Sequence, residues 1–94
     1  MIQLAEEGQK EEKLIGKITH FFNKIGVAVI ELTEGDLKTG EKIHIKGGDH
    51  DFEQEVSSMQ IEHQEIKEAK KGDSFGMKVN EPAKEGYAVY KILE

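Results

Sequence analysis

The stretch Met59-Gln60-Ile61-Glu62-His63-Gln64-Glu65-Ile66-Lys67-Glu68-Ala69-Lys70-Lys71-Gly72-Asp73-Ser74-Phe75-Gly76-Met77-Lys78-Val79 decides how this chain folds. It divides into two alternating apolar segments around a polar crossing. Met59 and Ile61, with His63 following in phase, share one face of the first segment. Phe75, Met77 and Val79 share one face of the second. Successive strand side chains point to opposite sides, so this spacing of two predicts strands with one face turned to a core. Between them Lys71-Gly72-Asp73 reads as a turn, because Gly admits positive φ and the Asp side chain bonds to nearby backbone.

Upstream, Lys13 to Phe22 reads as a strand with its Leu14 and Ile18 side inward. Asn23-Lys24-Ile25-Gly26 is a turn, and Gly26 to Thr33 is apolar on both sides for most of its length, as a central strand is. Glu34-Gly35-Asp36 is a loop, and Leu37 to Glu41 is a turn that brings Leu37 under the expected barrel. Lys42 to Lys46 is a strand with Ile43 and Ile45 inward and Lys42, His44 and Lys46 outward. Gly47 to Asp51 is a loop by composition. Phe52 and Val56 occupy one parity and Met59 and Ile61 the other, which predicts a β-bulge at Ser57-Ser58. Pro82 ends a strand, Glu85-Gly86 is a turn, and Tyr87 to Leu93 is the closing strand. The predicted core includes Ile43, Ile45, Ile61, Phe75, Met77 and Val79. Turns recur about every 8–12 residues and no helix is indicated, so the expected class is all-β. The expected architecture is a small closed or nearly closed antiparallel β-barrel of about six to seven strands. Residues 13–94 should form it. Residues 1–12, charged and aperiodic, are expected to be a flexible or short-helical tail.

Composition excludes several chemistries. The 94 residues suffice for one modest core, and 36% of them are apolar. The chain has no cysteine, so disulfides, thiolate catalysis and cysteine-bound zinc are ruled out. All 13 basic residues are lysine, and planar bidentate grips on phosphate or guanine belong to arginine. A net charge of −6 opposes broad nucleic-acid binding, which needs a positive field. No apolar run approaches the roughly 18 residues of a membrane span, and residues 1–12 lack the apolar segment of a signal peptide. The expected setting is therefore the cytoplasm. Lysine and glutamate enrichment without cysteine fits a heat-adapted protein, although the five glutamines count against it.

Candidate catalytic motifs fail on chemistry. Gly35 to Lys42 is a near miss of a phosphate-binding loop, but Glu41 stands where that loop needs lysine, and a carboxylate repels phosphate. No nucleotide or other cofactor is expected. His20, His44, His50 and His63 form no helical pair. His50 lies between Asp49 and Asp51, but a fixed metal site wants three or four ligands, so no metal is expected. The serines have no base in sequence context, and the carboxylates read as solubility charges. No enzymatic activity is expected. Lys42, His44 and Lys46 share an outward strand face at about 7 Å intervals. With Lys24 and the Lys70-Lys71 turn they are the candidate RNA- or partner-binding residues.

The motifs also carry a resemblance. Leu37-x-x-Gly40-Glu41-x-Ile43-x-Ile45-x-Gly47, then Val56…Met59-x-Ile61, then Ala69-x-x-Gly72-Asp73-x-Phe75-Gly76-Met77-x-Val79, then Gly86-x-x-Val89 resembles the second domain of translational GTPases such as elongation factor Tu and initiation factor two. Stand-alone archaeal elongation-factor-like proteins look closest. A similar barrel ends the collagenase-like peptidase proteins linked to RNA modification. The resemblance spans about Leu14 to Ile92 and implies a translation-protein domain-2 barrel without a GTPase domain. Gln60 and His63 replace the acidic and basic residues that elongation factor Tu places near the aminoacyl end of tRNA. What it implies for function is a non-catalytic module contacting RNA, the ribosome or a GTPase partner; a monomer is expected rather than an oligomer. The alternative is an accessory subunit docking by protein contacts to a larger RNA-modifying or peptidase-like enzyme.

Overall fold

A computed structural model of the protein describes residues 11–93. Ten antiparallel strands run in chain order: β1 (Glu11–Phe22), β2 (Val27–Leu32), β3 (Leu37–Lys38), β4 (Lys42–Gly47), β5 (His50–Glu55), β6 (Met59–Ile61), β7 (Gln64–Ile66), β8 (Glu68–Ala69), β9 (Ser74–Lys78) and β10 (Ala88–Leu93). Among the described residues there is no helix, and so none long and apolar enough to cross a membrane. Eight strands form one sheet in the order β5-β4-β10-β1-β2-β9-β6-β7, and β3 pairs with β8 in a second, two-stranded sheet. The expected all-β class holds. The hydrogen-bonded order is open, with β5 at one edge and β7 at the other.

Alternation delivers the core. Ala28, Ile30 and Leu32 of β2, Ile43 and Ile45 of β4, Phe75 and Met77 of β9 and Val89 of β10 are all buried. Strand β2 lies between β1 and β9, which accounts for its apolar character on both faces. At one end Leu37 pairs with Ala69, both fully buried, and the strands β3 and β8 close over the core like a lid. Of the six predicted core residues, Ile61 alone is only partly buried, packed against the cluster from beside a hairpin tip.

Four local expectations require correction. In β1 the inward residues are Ile15 and Ile18, while Leu14 is 43% exposed. The ladder to β10 shifts between Leu14 and Gly16, and such a bulge moves the following side chains to the other face. Gly16 permits the close approach: a Cβ there would stand 2.3 Å from the Glu31 carbonyl oxygen. Second, β1 starts at Glu11, so Glu11 and Glu12 are strand rather than tail; the rest of the expected tail lies outside the described residues. Third, the phase change after Phe52 is a break in the ladder over Val56–Ser58, not a bulge. Fourth, His63 does not face inward. Glu62 and His63 form a two-residue turn joining β6 to β7, with φ of 53° and 66°. The polar crossing thus contains strands β7 and β8, too short for periodicity to register.

Edge strand β5 is tied across to β9. The Gln54 amide nitrogen donates to the Lys78 carbonyl at 3.1 Å, and its oxygen accepts from the Asn80 N–H at 2.7 Å. Gln54 is 8% exposed, the one buried polar or charged side chain among the described residues.

Candidate docking surface

The outer face of β2 and β9 holds an apolar groove of about 560 Å³. Its construction follows from local sequence. The turn after β1 closes with the Gly26 N–H donating to the Phe22 carbonyl at 2.9 Å, and Gly26 adopts φ 69°. The Gly26 carbonyl accepts in turn from the Val79 N–H at 2.9 Å, which fixes the turn to the end of β9. This presents Phe22 and Ile25 to solvent at 46% and 59% exposure. The groove continues over Val27 and Val29 of β2 to Gln60 of β6. Val29, Gly76 and Gln60 stand in line across three strands. Gly76 has no side chain, so it forms a trough between its two neighbours. A Cβ added there would meet Val27 Cγ1 at 3.4 Å, an ordinary contact. Glycine is therefore not forced at this position by strand approach; it keeps the groove open.

The rim is strained. Glu62 and His63 line the groove, and both have positive φ. A side chain in the left-handed region costs about 1–2 kcal/mol, and hairpin turns of this kind favour Asn-Gly. Sequence reasoning missed this surface because it treated Phe22 and Ile25 as strand end and turn. The available signal was two large apolar residues beside a Gly turn.

The residues singled out from sequence lie in three places. Lys24 is exposed in the turn with Ile25. Lys70 and Lys71 sit at the opposite end of β2, where the Gly72 N–H donates to the Leu32 carbonyl at 2.8 Å. The six residues of β2 place these ends about 20 Å apart. Lys42, His44 and Lys46 lie on β4 as expected, but β5 sets Glu55, Glu53 and Asp51 directly opposite them. Lys46 lies 3.9 Å from Glu12, with its ammonium 5.1 Å from the centre of the Tyr90 ring. Each cation of β4 thus faces a carboxylate across the ladder, and the six residues do not converge on one surface.

Around His44 the charges form a small network. Its Nδ1 is 2.7 Å from Glu12 and its Nε2 3.3 Å from Asp51. Burial pulls the imidazole pKa down, but the hydrogen bonds to Glu12 and Asp51 and the Glu12 charge outweigh it and the opposing Lys46, so the net shift is upward. Glu12, His44 and Glu53 bring ligand atoms within 4.8 Å of one another, a spacing that could hold a metal ion. Metal ligation needs a neutral imidazole, and the carboxylate contacts raise the pKa of this ring, so a proton competes with a metal for the donor set.

Comparison with known proteins gives the chain its context. No family model matches it. An uncharacterized protease of Methanocaldococcus jannaschii is 43% identical over 81 residues, covering 85% of this chain and 20% of that protein. A Porphyromonas gingivalis protein named collagenase is 28% identical over 84 residues, covering 88% of this chain and 23% of that protein. Two crystal structures of the C-terminal domain of a Geobacillus thermoleovorans protein described as a U32 peptidase superpose with TM-scores of 0.77 and 0.78. They are 16% and 17% identical, cover 82% and 84% of this chain, and are themselves covered to 96% and 91%. At that identity they show the shared fold alone. The chain spans about a fifth of the length of the curated relatives it matches. These findings overturn the translation-factor resemblance: the similar proteins are described as an uncharacterized protease and as the C-terminal domain of a U32 peptidase, not as an elongation-factor second domain. The motifs behind that resemblance are a buried Leu37, Gly turns and alternating strands. Here they turn the chain and fill the core of the sheet, so they report fold and not family. The likeness to the domain that ends collagenase-like peptidases agrees with the comparisons.

Proposed function

We propose that this is a non-catalytic accessory domain that docks by protein contacts on the main body of a larger, peptidase-like enzyme. The observation that carries the reading is the exposed Phe22–Ile25 groove on a domain whose relatives are about five times its length. Two large side chains left half open on one surface form the kind of apolar patch that marks an interaction site. A three-strand trough floored by glycine suits insertion of a partner's side chains. No ionisable group lines the groove except at its rim, in Glu62, His63 and Lys78, so the contact should depend on shape and apolar burial more than on charge.

The finer fold reading belongs to the same proposal. The Gln54 clasp supports a nearly closed barrel in which β5 and β9 are joined by a side chain where a backbone ladder would complete the ring. Such a clasp holds the β5 edge against the rest of the sheet and leaves the groove as a surface free to dock.

The test is reconstitution in trans. The Methanocaldococcus protease with its matched 81-residue segment deleted is titrated with this chain by calorimetry. Wild type should bind with little dependence on salt, and Ile25→Glu should weaken binding at least about tenfold, a loss of about 1.4 kcal/mol. Absence of binding, or equal binding by the variant, would remove the docking reading. Binding that collapses between low and high salt would point to phosphate-like contacts instead.

A further inference from the structure

A second cavity, of about 450 Å³, opens at the end of the sheet away from the groove. Its wall carries Lys13, Lys70, Lys71 and Lys91 against a single carboxylate, Asp36. Four lysines and one aspartate leave a formal surplus of three positive charges, on a chain whose net charge is −6. That local reversal of sign is the feature to explain.

The backbone places these groups firmly. Lys13 and Lys91 are register partners across β1 and β10. The Thr33 and Glu34 N–H groups both donate to the Ile15 carbonyl, at 2.8 and 3.0 Å, and anchor the Gly35–Asp36 loop. The Lys70–Asp73 turn is held by the Lys70 N–H to the Asp73 carboxylate at 2.9 Å and by the Leu32 N–H to the Asp73 carbonyl at 2.9 Å. Lys13 Nζ lies over Gly35, 3.8 Å from where a Cβ would stand.

Among the described residues only one of the four ammonium groups has a carboxylate partner. Lys91 bonds Asp36 at 2.8 Å and stands 3.5 Å from Glu41. Lys13, Lys70 and Lys71 make no side-chain ion pair among the described residues. Three like charges gathered at one cavity repel one another, and an anionic ligand relieves that repulsion. The cavity is not purely polar. Leu93, 42% exposed, lies on its wall, and Ile15 behind it is fully buried.

We infer that this lysine-rimmed cavity binds an acidic peptide segment carrying one apolar side chain, the carboxylates meeting Lys13, Lys70 and Lys71 and the apolar group resting on Leu93. Charge complementarity selects an anion. The floor selects a peptide over a nucleic acid: no aromatic ring or arginine lines the cavity, and sequence-tolerant binding of single strands relies on aromatic stacking platforms. Lysine ammonium groups act as point charges, which separate carboxylates on a flexible segment can each meet. The inference extends the docking reading, in that the segment would come from the same larger enzyme, but the site itself is independent of the groove.

The experiment uses the chain as it is and a synthetic probe, a fluorescein-labelled Glu-Glu-Leu-Glu-Glu peptide, followed by anisotropy at low salt. Saturable binding is expected, weakening as salt rises. Lys70→Glu with Lys71→Glu should weaken it about tenfold or more; both side chains are exposed, and the turn's backbone bonds do not use them. Leu93→Asp should weaken it as well, and a Lys-Lys-Leu-Lys-Lys peptide should not bind. No saturable binding, equal binding by the double variant, or a single-stranded RNA oligomer of equal charge binding better would each overturn the inference. If the probe binds while reconstitution through the groove fails, the docking reading falls and the peptide site stands. If reconstitution succeeds and the probe does not bind, the site alone falls.

Discussion

Gln54→Met tests whether the β5 edge is held to β9. Methionine keeps the length of the side chain and removes both polar atoms. The loss is two hydrogen bonds, one given to the Lys78 carbonyl and one accepted from the Asn80 N–H. Each is worth about 0.5–1.5 kcal/mol net, and a partner left unpaired away from water costs about 1–3 kcal/mol more. Lys78 and Asn80 are exposed residues, so water can reach part of what is vacated, which keeps the estimate near the lower limit. The methionine recovers some apolar burial, under about 1 kcal/mol. The expected net loss is about 2 kcal/mol. In urea, with a slope of about 1 kcal/mol/M for a domain of this size, the midpoint should fall by about 2 M, and Gln60→Met on the exposed face should move it by less than about 0.5 M. A second variant sharpens the test. Gln54→Glu preserves shape, and once protonated its carboxyl can again donate to the Lys78 carbonyl, so its deficit at neutral pH should shrink on acidification. A Gln54→Met loss below about 0.5 kcal/mol with an unchanged slope would refute the clasp and leave β5 as an ordinary edge.

Two further outcomes are expected. Replacing the β6–β7 turn by Glu62→Asn with His63→Gly should raise thermal stability by about 1–2 kcal/mol, by relieving positive φ at two non-glycine residues; an unchanged or lower melting temperature would show that contacts of the native pair outweigh the strain. For His44, whose folded pKa lies above the ordinary 6.5, the sign is fixed by linkage. Its contribution is fully present below the unfolded pKa and is lost as pH rises through the folded value. Wild type should lose stability relative to His44→Gln as pH rises above about 6.5, and parallel urea profiles for the two would show that the network with Glu12 and Asp51 contributes nothing.

Much of this protein is legible without coordinates, because the side-chain period of two is a local property. Ile43, Ile45, Phe75, Met77 and Val79 are buried as the alternation requires, and Leu37 is buried under the sheet where its Gly-flanked turn predicts. The absence of cysteine and arginine needs only the sequence, and the all-β reading of residues 13–93 is available from it as well. Tertiary structure decides what depends on register between distant segments. The bulge beside Gly16 turned Leu14 out and Ile15 in, because Gly16 can approach the Glu31 carbonyl closely. Strands β7 and β8 exist by virtue of their partners, being too short to show a period of their own. The β4 lysines alternate outward as read, yet only the β4–β5 register reveals a carboxylate opposite each cation. Lys70 and Lys71 were visible as charge, but the cavity they share with Lys13 and Lys91 joins residues from both ends of the chain. The sequence alone determines which faces are apolar, because that is written in neighbouring residues; only the fold decides which charges meet, because electrostatic partners are chosen by distance in space.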